Sequence, residues 1–449
     1  MAAVMLRPEL SAATHRVRDG GRLVVQTWLF TRLLLVGVAL WVGVTTGRSA
    51  GEMLANWDVQ HYFAIASNGY TGANDIAFFP GWPLALRAFS AVGIPMLWAG
   101  VGLALICSAL SAAALHRLGG PIAAVLWLLA PTTVFTLVPY TEAPFCAAAF
   151  WAWERASRGR WGAAAGLAAI ACTLRVSGLF LLGALVILAL TQGLRGRSGR
   201  AGVAGPFGVG GTGTTPSRWS WPWRRQWPPQ ATSGQPASLG WSSLSRPFSQ
   251  WTGAVATGYR PAPPAVTWRQ RVRALAWLTI PALTLLAYIA YLHHLTGDWN
   301  AWYHAQSAGW PRGFTWPWVS LQHTIEAATS TAYPAFPEWA WVFRAEIISM
   351  AVGIVVTLAC LARRRWAEAS WVGVQVLAFS CSYWFLSVNR AVLLWFPLFI
   401  LIGEALSGGW NVSPGRRRFR IFLTVLGCAV AAVVLCFWAW LFYTGRWAS

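Results

Sequence analysis

The sequence predicts an all-α polytopic membrane protein, a bundle of about eleven transmembrane helices, on three observations. The 449 residues are 56% hydrophobic and only 10% charged, where soluble domains carry roughly 25% charged residues. Mean hydropathy is +0.49. Apolar runs near the length that crosses a bilayer recur along the chain, and the short alternating segments of a membrane β-barrel are absent. Spans are read near 23–45, 96–116, 121–138, 142–155, 161–174, 177–192, 274–295, 341–362, 367–387, 391–408 and 421–443.

The net charge of +21 comes from 34 basic residues, all of them Arg. Such Arg usage is typical of a high-GC bacterial genome, which sets the expectation of a bacterial plasma membrane. The Arg residues cluster between apolar spans, as positive-inside anchoring requires, so the charge argues for membrane lipids as partners and against nucleic acid. Segments 16–22, 155–160, 363–365 and 416–420 are basic and are expected to be cytoplasmic. The first apolar run begins near Leu23 and is too long for a signal-peptide core, so no cleavable signal is expected. Seven Cys lie within apolar runs without any CxxC spacing. They read as small buried hydrophobes.

Residues 194–273 hold eleven Arg and no Asp or Glu, among Gly, Ser, Pro and Trp. This stretch has no periodicity and is expected to be a disordered cytoplasmic loop brushing anionic lipid. It separates an N-terminal membrane half, 1–193, from a C-terminal half, 274–449. With the loop inside, residues 161–193 must cross twice or enter and return, turning near Arg175-Val176-Ser177-Gly178. One long tilted helix is the alternative and would put the loop outside. Two passes place the N-terminus inside and the C-terminus outside. Loops 46–95 and 297–340 then face the non-cytoplasmic side.

Polar residues that folding does not require converge on that outer face. Asp58 is the main one: a carboxylate at a dry membrane interface can act as a general base toward an acceptor hydroxyl. As a purely structural residue it would open an interfacial helix over 59–68. His61 shares a helical face with Asp58 and could orient it or bind substrate. Trp57, Tyr62 and Phe79 belong to aromatic segments that suit an interfacial belt or a wall for a sugar or lipid tail. Glu142 follows Thr141, which could cap a helix whose dipole favours the acid. Arg175 and Arg390 sit at outer ends against the positive-inside trend, where a guanidinium suits a phosphate or anchors phospholipid. Asp298 and His304 open the second outer loop beside Trp299 and hint at acceptor binding. No DxD motif, tight His/Asp/Glu triad, P-loop or dinucleotide fingerprint appears. The metal-ligand set is therefore read as none and no cofactor is required, a divalent ion being allowed but not indicated.

The cluster Asn56-Trp57-Asp58-x-x-His61-Tyr62-x-x-Ile65-Ala66-x-x-Gly69-Tyr70, then Ala77-Phe78-Phe79-Pro80, resembles the signature of the PIG-V-type mannosyltransferases, the second mannosyltransferase of glycosylphosphatidylinositol assembly and its bacterial relatives. Weaker matches follow in the family's order: Tyr140-Thr141-Glu142, Thr173-Leu174-Arg175-Val176-Ser177-Gly178, Gly297-Asp298-Trp299 with Ala305-Gln306, and Asn389-Arg390 with Phe396-Pro397. The resemblance implies a GT-C fold with its active site on the non-cytoplasmic face, and a polyprenyl-phosphate-sugar donor, usually mannose. It implies an inverting transfer to a lipid, glycan or protein acceptor. Asp58 would be the essential acid of the first outer loop, and Arg175 or Arg390 would stabilise the departing phosphate. The Arg- and Trp-rich insert departs from a compact family core. Two other readings are a lipid-linked sugar transporter, against which the chain shows no convincing repeat, and a non-catalytic partner in an envelope complex.

Overall fold

The computed structural model describes residues 2–192, 266–310, 312–407 and 414–448, which pack as one unit. Every regular element among the described residues is helical. Most of the expected 194–273 loop lies outside them. Its last residues do not: Thr267 caps a helix that begins at Trp268, so the second membrane half starts six residues before the expected 274.

Helix α1 (Ala2–Thr46) is apolar enough to cross a bilayer over Asp19–Thr46. Ser49 and Glu52 form a capping box at α2 (Ala50–Leu54), each side chain accepting the other's backbone N–H. The first loop then carries α3 (Asp58–Asn68), a 3-10 turn (Ala73–Ala77) and α4 (Gly81–Ala91). Helix α5 (Met96–Leu128) breaks at Gly120, whose φ of 84° precedes Pro121. Three apolar helices follow: α6 (Glu142–Ser157), α7 (Trp161–Leu174) and α8 (Ser177–Thr191).

The second half holds α9 (Trp268–Thr296), α10 (Ala301–Gly309), α11 (Pro317–Ala327), α12 (Glu338–Ala362) and α13 (Trp366–Ser380). It closes with the single turn α14 (Val388–Ala391), α15 (Phe396–Ser407) and α16 (Pro414–Tyr443). Among the described residues five helices are long and apolar enough to cross a membrane: α1, α5, α9, α12 and α16. The 388–394 segment and α15 make a sixth only as a pair bent by 66°. Helices α6, α7, α8 and α13 run 16, 14, 15 and 15 residues, below the roughly 20 that a straight crossing takes.

Helix α6 is the centre of the bundle. Fourteen of its sixteen residues are buried, as expected of a helix with neighbours all round. Its alanines let α5 and α7 approach closely. Between α7 and α8 the chain folds back where the sequence places the turn. Arg175 is extended (φ −157°, ψ 153°), and Gly178 presses on α7 so closely that a Cβ there would meet Cys172 Cα at 2.6 Å.

Three expected spans, 121–138, 367–387 and 391–408, are not continuous helix. Residues 129–138 leave α5 and form a buried loop with a 3-10 turn at Thr133–Thr136. Residues 381–395 leave α13 through the left-handed Ser387 (φ 66°) and turn through α14. Both segments are apolar enough to read as membrane helix. Irregular backbone at such depth is tolerated only where protein or a cavity surrounds it, and both segments help line one.

Candidate functional site

A cavity of about 710 Å³ opens where the first loop, the α7–α8 turn, the segment after α13 and the end of α16 converge. Trp57, Asp58, Tyr62, Phe79, Arg175 and Arg390 all line it. The first loop is fixed there by Asn56, whose amide donates to Met53 O at 3.0 Å and to Phe442 O at 2.7 Å. Trp57 then takes φ 57°, ψ −122°, a strained conformation for a non-glycine residue that costs on the order of 1–3 kcal/mol. That turn sets Asp58 at the first position of α3. Its backbone N–H donates to the Tyr140 hydroxyl at 3.3 Å.

The Asp58 carboxylate is held on one side only. Arg390 Nη1 donates to Oδ2 at 2.9 Å, while Oδ1 has no hydrogen bond among the described residues. The Arg390 guanidinium lies over the rings of Phe135 and Tyr140, 5.3 Å from each centroid. Its Nε stands 3.5 Å from Glu142 Oε1. Arg175 Nη1 donates to that same oxygen at 2.6 Å and to the Thr141 hydroxyl at 2.8 Å. One chain of charges therefore runs Asp58–Arg390–Glu142–Arg175. Burial, and after it the Asp58 carboxylate, keep the Tyr62 and Tyr140 phenols protonated far above their usual range.

Several sequence expectations are corrected. Thr141 makes no side-chain cap on α6; its hydroxyl faces Arg175 and, at 3.4 Å, Tyr62. Glu142 is fully buried and bridges two arginines, more than a dipole partner would do. His61 does not orient Asp58. Its Nδ1 pairs with buried Asp75 at 2.9 Å, and its ring stacks on Phe78 at 4.8 Å. Asp298 and His304 pair with each other at 2.6 Å on the exposed loop before α10 and do not line the cavity. The Asn300 backbone N–H, and next His304, hold the Asp298 carboxyl below its ordinary range.

Phe79 packs on Tyr288 at 4.5 Å. Helix α10 braces this wall, with Trp302 Nε1 and Gln306 Nε2 donating to Ala77 O at 3.1 and 3.2 Å.

Sequence reasoning missed three polar residues here. Glu346, deep in α12, accepts the backbone N–H groups of Ser387 and Asn389, each at 3.0 Å, and so holds the turn that presents Arg390. Asp75, buried in the first loop, pairs with His61 and accepts the Gly72 backbone N–H at 3.0 Å. Arg312, on the loop between α10 and α11, lines the cavity. It breaks the positive-inside trend as Arg175 and Arg390 do, and that signal would have found it. Among the described residues no three His, Cys, Asp or Glu side chains gather as a metal-ligand set.

Fold and cavity together define a polytopic all-α membrane protein with an acid and several arginines at one end of its bundle. The resemblance to the PIG-V-type family is borne out by relatedness to GPI alpha-1,6-mannosyltransferase 2. The Mus musculus protein of that name is 36% identical over 152 residues, which cover 30% of this chain and 31% of the relative. The Rattus norvegicus and Homo sapiens proteins match over the same length at 36% and 34%. The match thus spans under a third of these relatives. No family model and no solved structure matches the chain.

Proposed function

We propose that this chain is an inverting membrane mannosyltransferase that moves a mannosyl group from a polyprenyl-phosphate donor to a hydroxyl of a lipid, glycan or protein acceptor. The observation that carries it is the Asp58 carboxylate, with Oδ2 tied to Arg390 and Oδ1 open at an aromatic cavity. The relatedness to named mannosyltransferases supports the reaction class.

The acceptor hydroxyl lies on Asp58 Oδ1 and gives up its proton there. The acceptor oxygen forms a bond to the anomeric carbon as the bond from that carbon to the phosphate oxygen breaks. The electron pair leaves with polyprenyl phosphate, and its charge develops among the guanidiniums of the cavity. Arg390 fixes Asp58 in orientation. In this account the arginines take the leaving-group charge, so no metal or other cofactor is needed. The buried Tyr62, Phe79, Phe135 and Tyr140 on the cavity wall limit the bulk water that competes with the acceptor. The cavity end corresponds to the non-cytoplasmic face of the membrane, since the short basic loops lie at the other ends of the helices.

Purified protein in liposomes, given radiolabelled polyprenyl-phosphate-mannose and a total lipid extract, should yield a labelled product of inverted anomeric configuration. Nucleotide-linked mannose should yield none. Product from the nucleotide donor, or retained configuration, would overturn the reading.

A further inference from the structure

Arg32 is buried near the middle of the α1 stretch that is apolar enough to cross a bilayer. A guanidinium at that depth is costly unless it is paired. Among the described residues no carboxylate pairs with it, and the titratable group that acts on it is a phenol, Tyr443. Its Nε and Nη2 have no hydrogen-bond partner among them. Nη1 alone is engaged, donating to the Thr136 carbonyl at 3.1 Å and to the Thr136 hydroxyl at 2.9 Å. An apolar side chain of similar volume would fill this place without the electrostatic cost, so stability does not account for the arginine. What it does in the structure is hold Thr136.

Thr136 belongs to the buried loop 129–138. The hydroxyls of Thr133 and Thr136 bond to carbonyls of that loop or of the α5 turn before it. Among the described residues, the side-chain hydrogen bonds that reach from the loop beyond α5 run to two places. One is Arg32. The other is the α14 turn, where the Thr132 hydroxyl donates to Asn389 O at 3.1 Å, one residue before Arg390. Phe135 stands between these two ties and lines the cavity. The Arg390 guanidinium lies over its ring, 5.3 Å from the centroid. Arg32 itself does not line the cavity.

We propose that Arg32 is a positioning residue for the transfer. It fixes the 129–138 loop against α1, and the loop, through Thr132 and the Phe135 ring, sets the Arg390 guanidinium that orients Asp58. The effect on transfer rests on the transferase reading; the relay rests on the contacts alone. Those contacts run from Arg32 to Thr136, from Thr132 to Asn389 and from Arg390 to Asp58, the last at 2.9 Å. They give a cation buried in a membrane span a use that packing does not.

The test compares wild type, Arg32→Met and Arg32→Lys as full-length protein in liposomes, with transfer expressed per amount of folded protein. Arg32→Met should lower kcat about 10-fold, since a misplacement of about 1 Å far from the chemistry can cost about 100-fold. KM should stay near the wild-type value, because no residue of the cavity wall is removed. The variant should melt no lower than wild type, because it removes an unpaired buried charge. Arg32→Lys keeps a donor for Thr136 and should recover most of kcat. A wild-type kcat in Arg32→Met, or a lower melting temperature as its only defect, would overturn the proposal.

Arg390 gives a second readout that needs no sugar transfer. Phenylglyoxal labelling, mapped by mass spectrometry, should reach Arg390 faster in Arg32→Met than in wild type; equal rates overturn the relay. If Arg32→Met does not fold, Thr132→Val cuts the tie to Asn389 and leaves Arg32 in place. Faster labelling of Arg390 in that variant upholds the relay, and an unchanged rate overturns it. Wild type that transfers no sugar, with Arg390 still freed in Arg32→Met, would sink the transferase reading alone. Sugar transfer by wild type, with Arg390 labelled at one rate in every variant, would sink this proposal alone.

Discussion

Helix α6 carries a buried glutamate near each end, and the two ends do different things. Glu142 and Glu154 lie twelve residues apart, about 18 Å along a helix. Each gathers arginines. Around Glu154 stand Arg117, Arg155 and Arg158 at 2.9, 3.0 and 2.9 Å. Arg158 is 47% exposed, and Arg117 and Arg155 also face the Trp151 ring. Arg155 and Arg158 belong to the basic segment 155–160.

Around Glu142 stand Arg175 and Arg390, 19% and 11% exposed, and Arg117 and Arg155 at the other end are about as buried, at 20% and 19%. At the Glu142 end a second carboxylate, Asp58, shares Arg390 and keeps an oxygen open to a cavity. The same ion-pair chemistry is structural where three arginines surround a lone acid. It becomes suited to reaction where a second acid is held on one side only.

The largest expected effect lies at that second acid. Asp58→Asn removes the proton acceptor and should lower sugar transfer by about 10²- to 10⁴-fold, measured in reconstituted protein at equal amounts of folded protein because Asp58 also pairs with buried Arg390. Next is Glu142→Gln, which leaves two buried guanidiniums without their shared partner. Breaking a buried pair costs about 3–5 kcal/mol, and thermal unfolding in detergent should show it. Glu154→Gln is the control at the other end. The Glu154 carboxylate is as buried as that of Glu142, so a comparable loss of stability is expected, with transfer intact in the folded protein. An equal loss of transfer at both ends would erase the contrast.

The smallest effect is at Asp298. Its depressed carboxyl contributes local order that is complete above the ordinary carboxylate pKa and is lost as pH falls through the lower folded value. Hydrogen exchange over 297–304 should therefore quicken only in acid, below roughly pH 4. Quickening near neutral pH would contradict the pairing.

The helices were legible because apolar runs and basic gaps mark them directly. The helix bounds at 161–174, with the turn at Arg175, match residue for residue. What misled was apolar character itself: 129–138 and 381–395 are hydrophobic because they are buried in protein, not because they are helical in lipid. Of the candidate site residues, Trp57, Asp58, Tyr62, Phe79, Arg175 and Arg390 meet at the cavity. Asp298 and His304 do not, because an exposed local pair satisfies them. His61 is diverted by Asp75, fourteen residues on, a contact that helical spacing cannot anticipate. Glu346 stayed hidden because an acid within an apolar run reveals its role only when its partners, the backbone of 387 and 389, fold onto it.

The most direct measurement is labelled mannose transfer from polyprenyl-phosphate-mannose by wild type, Asp58→Asn and Glu154→Gln at equal amounts of folded protein. Product from wild type and Glu154→Gln, with almost none from Asp58→Asn, is the predicted result. Transfer by Asp58→Asn at the wild-type rate would contradict the account and remove Asp58 as the base.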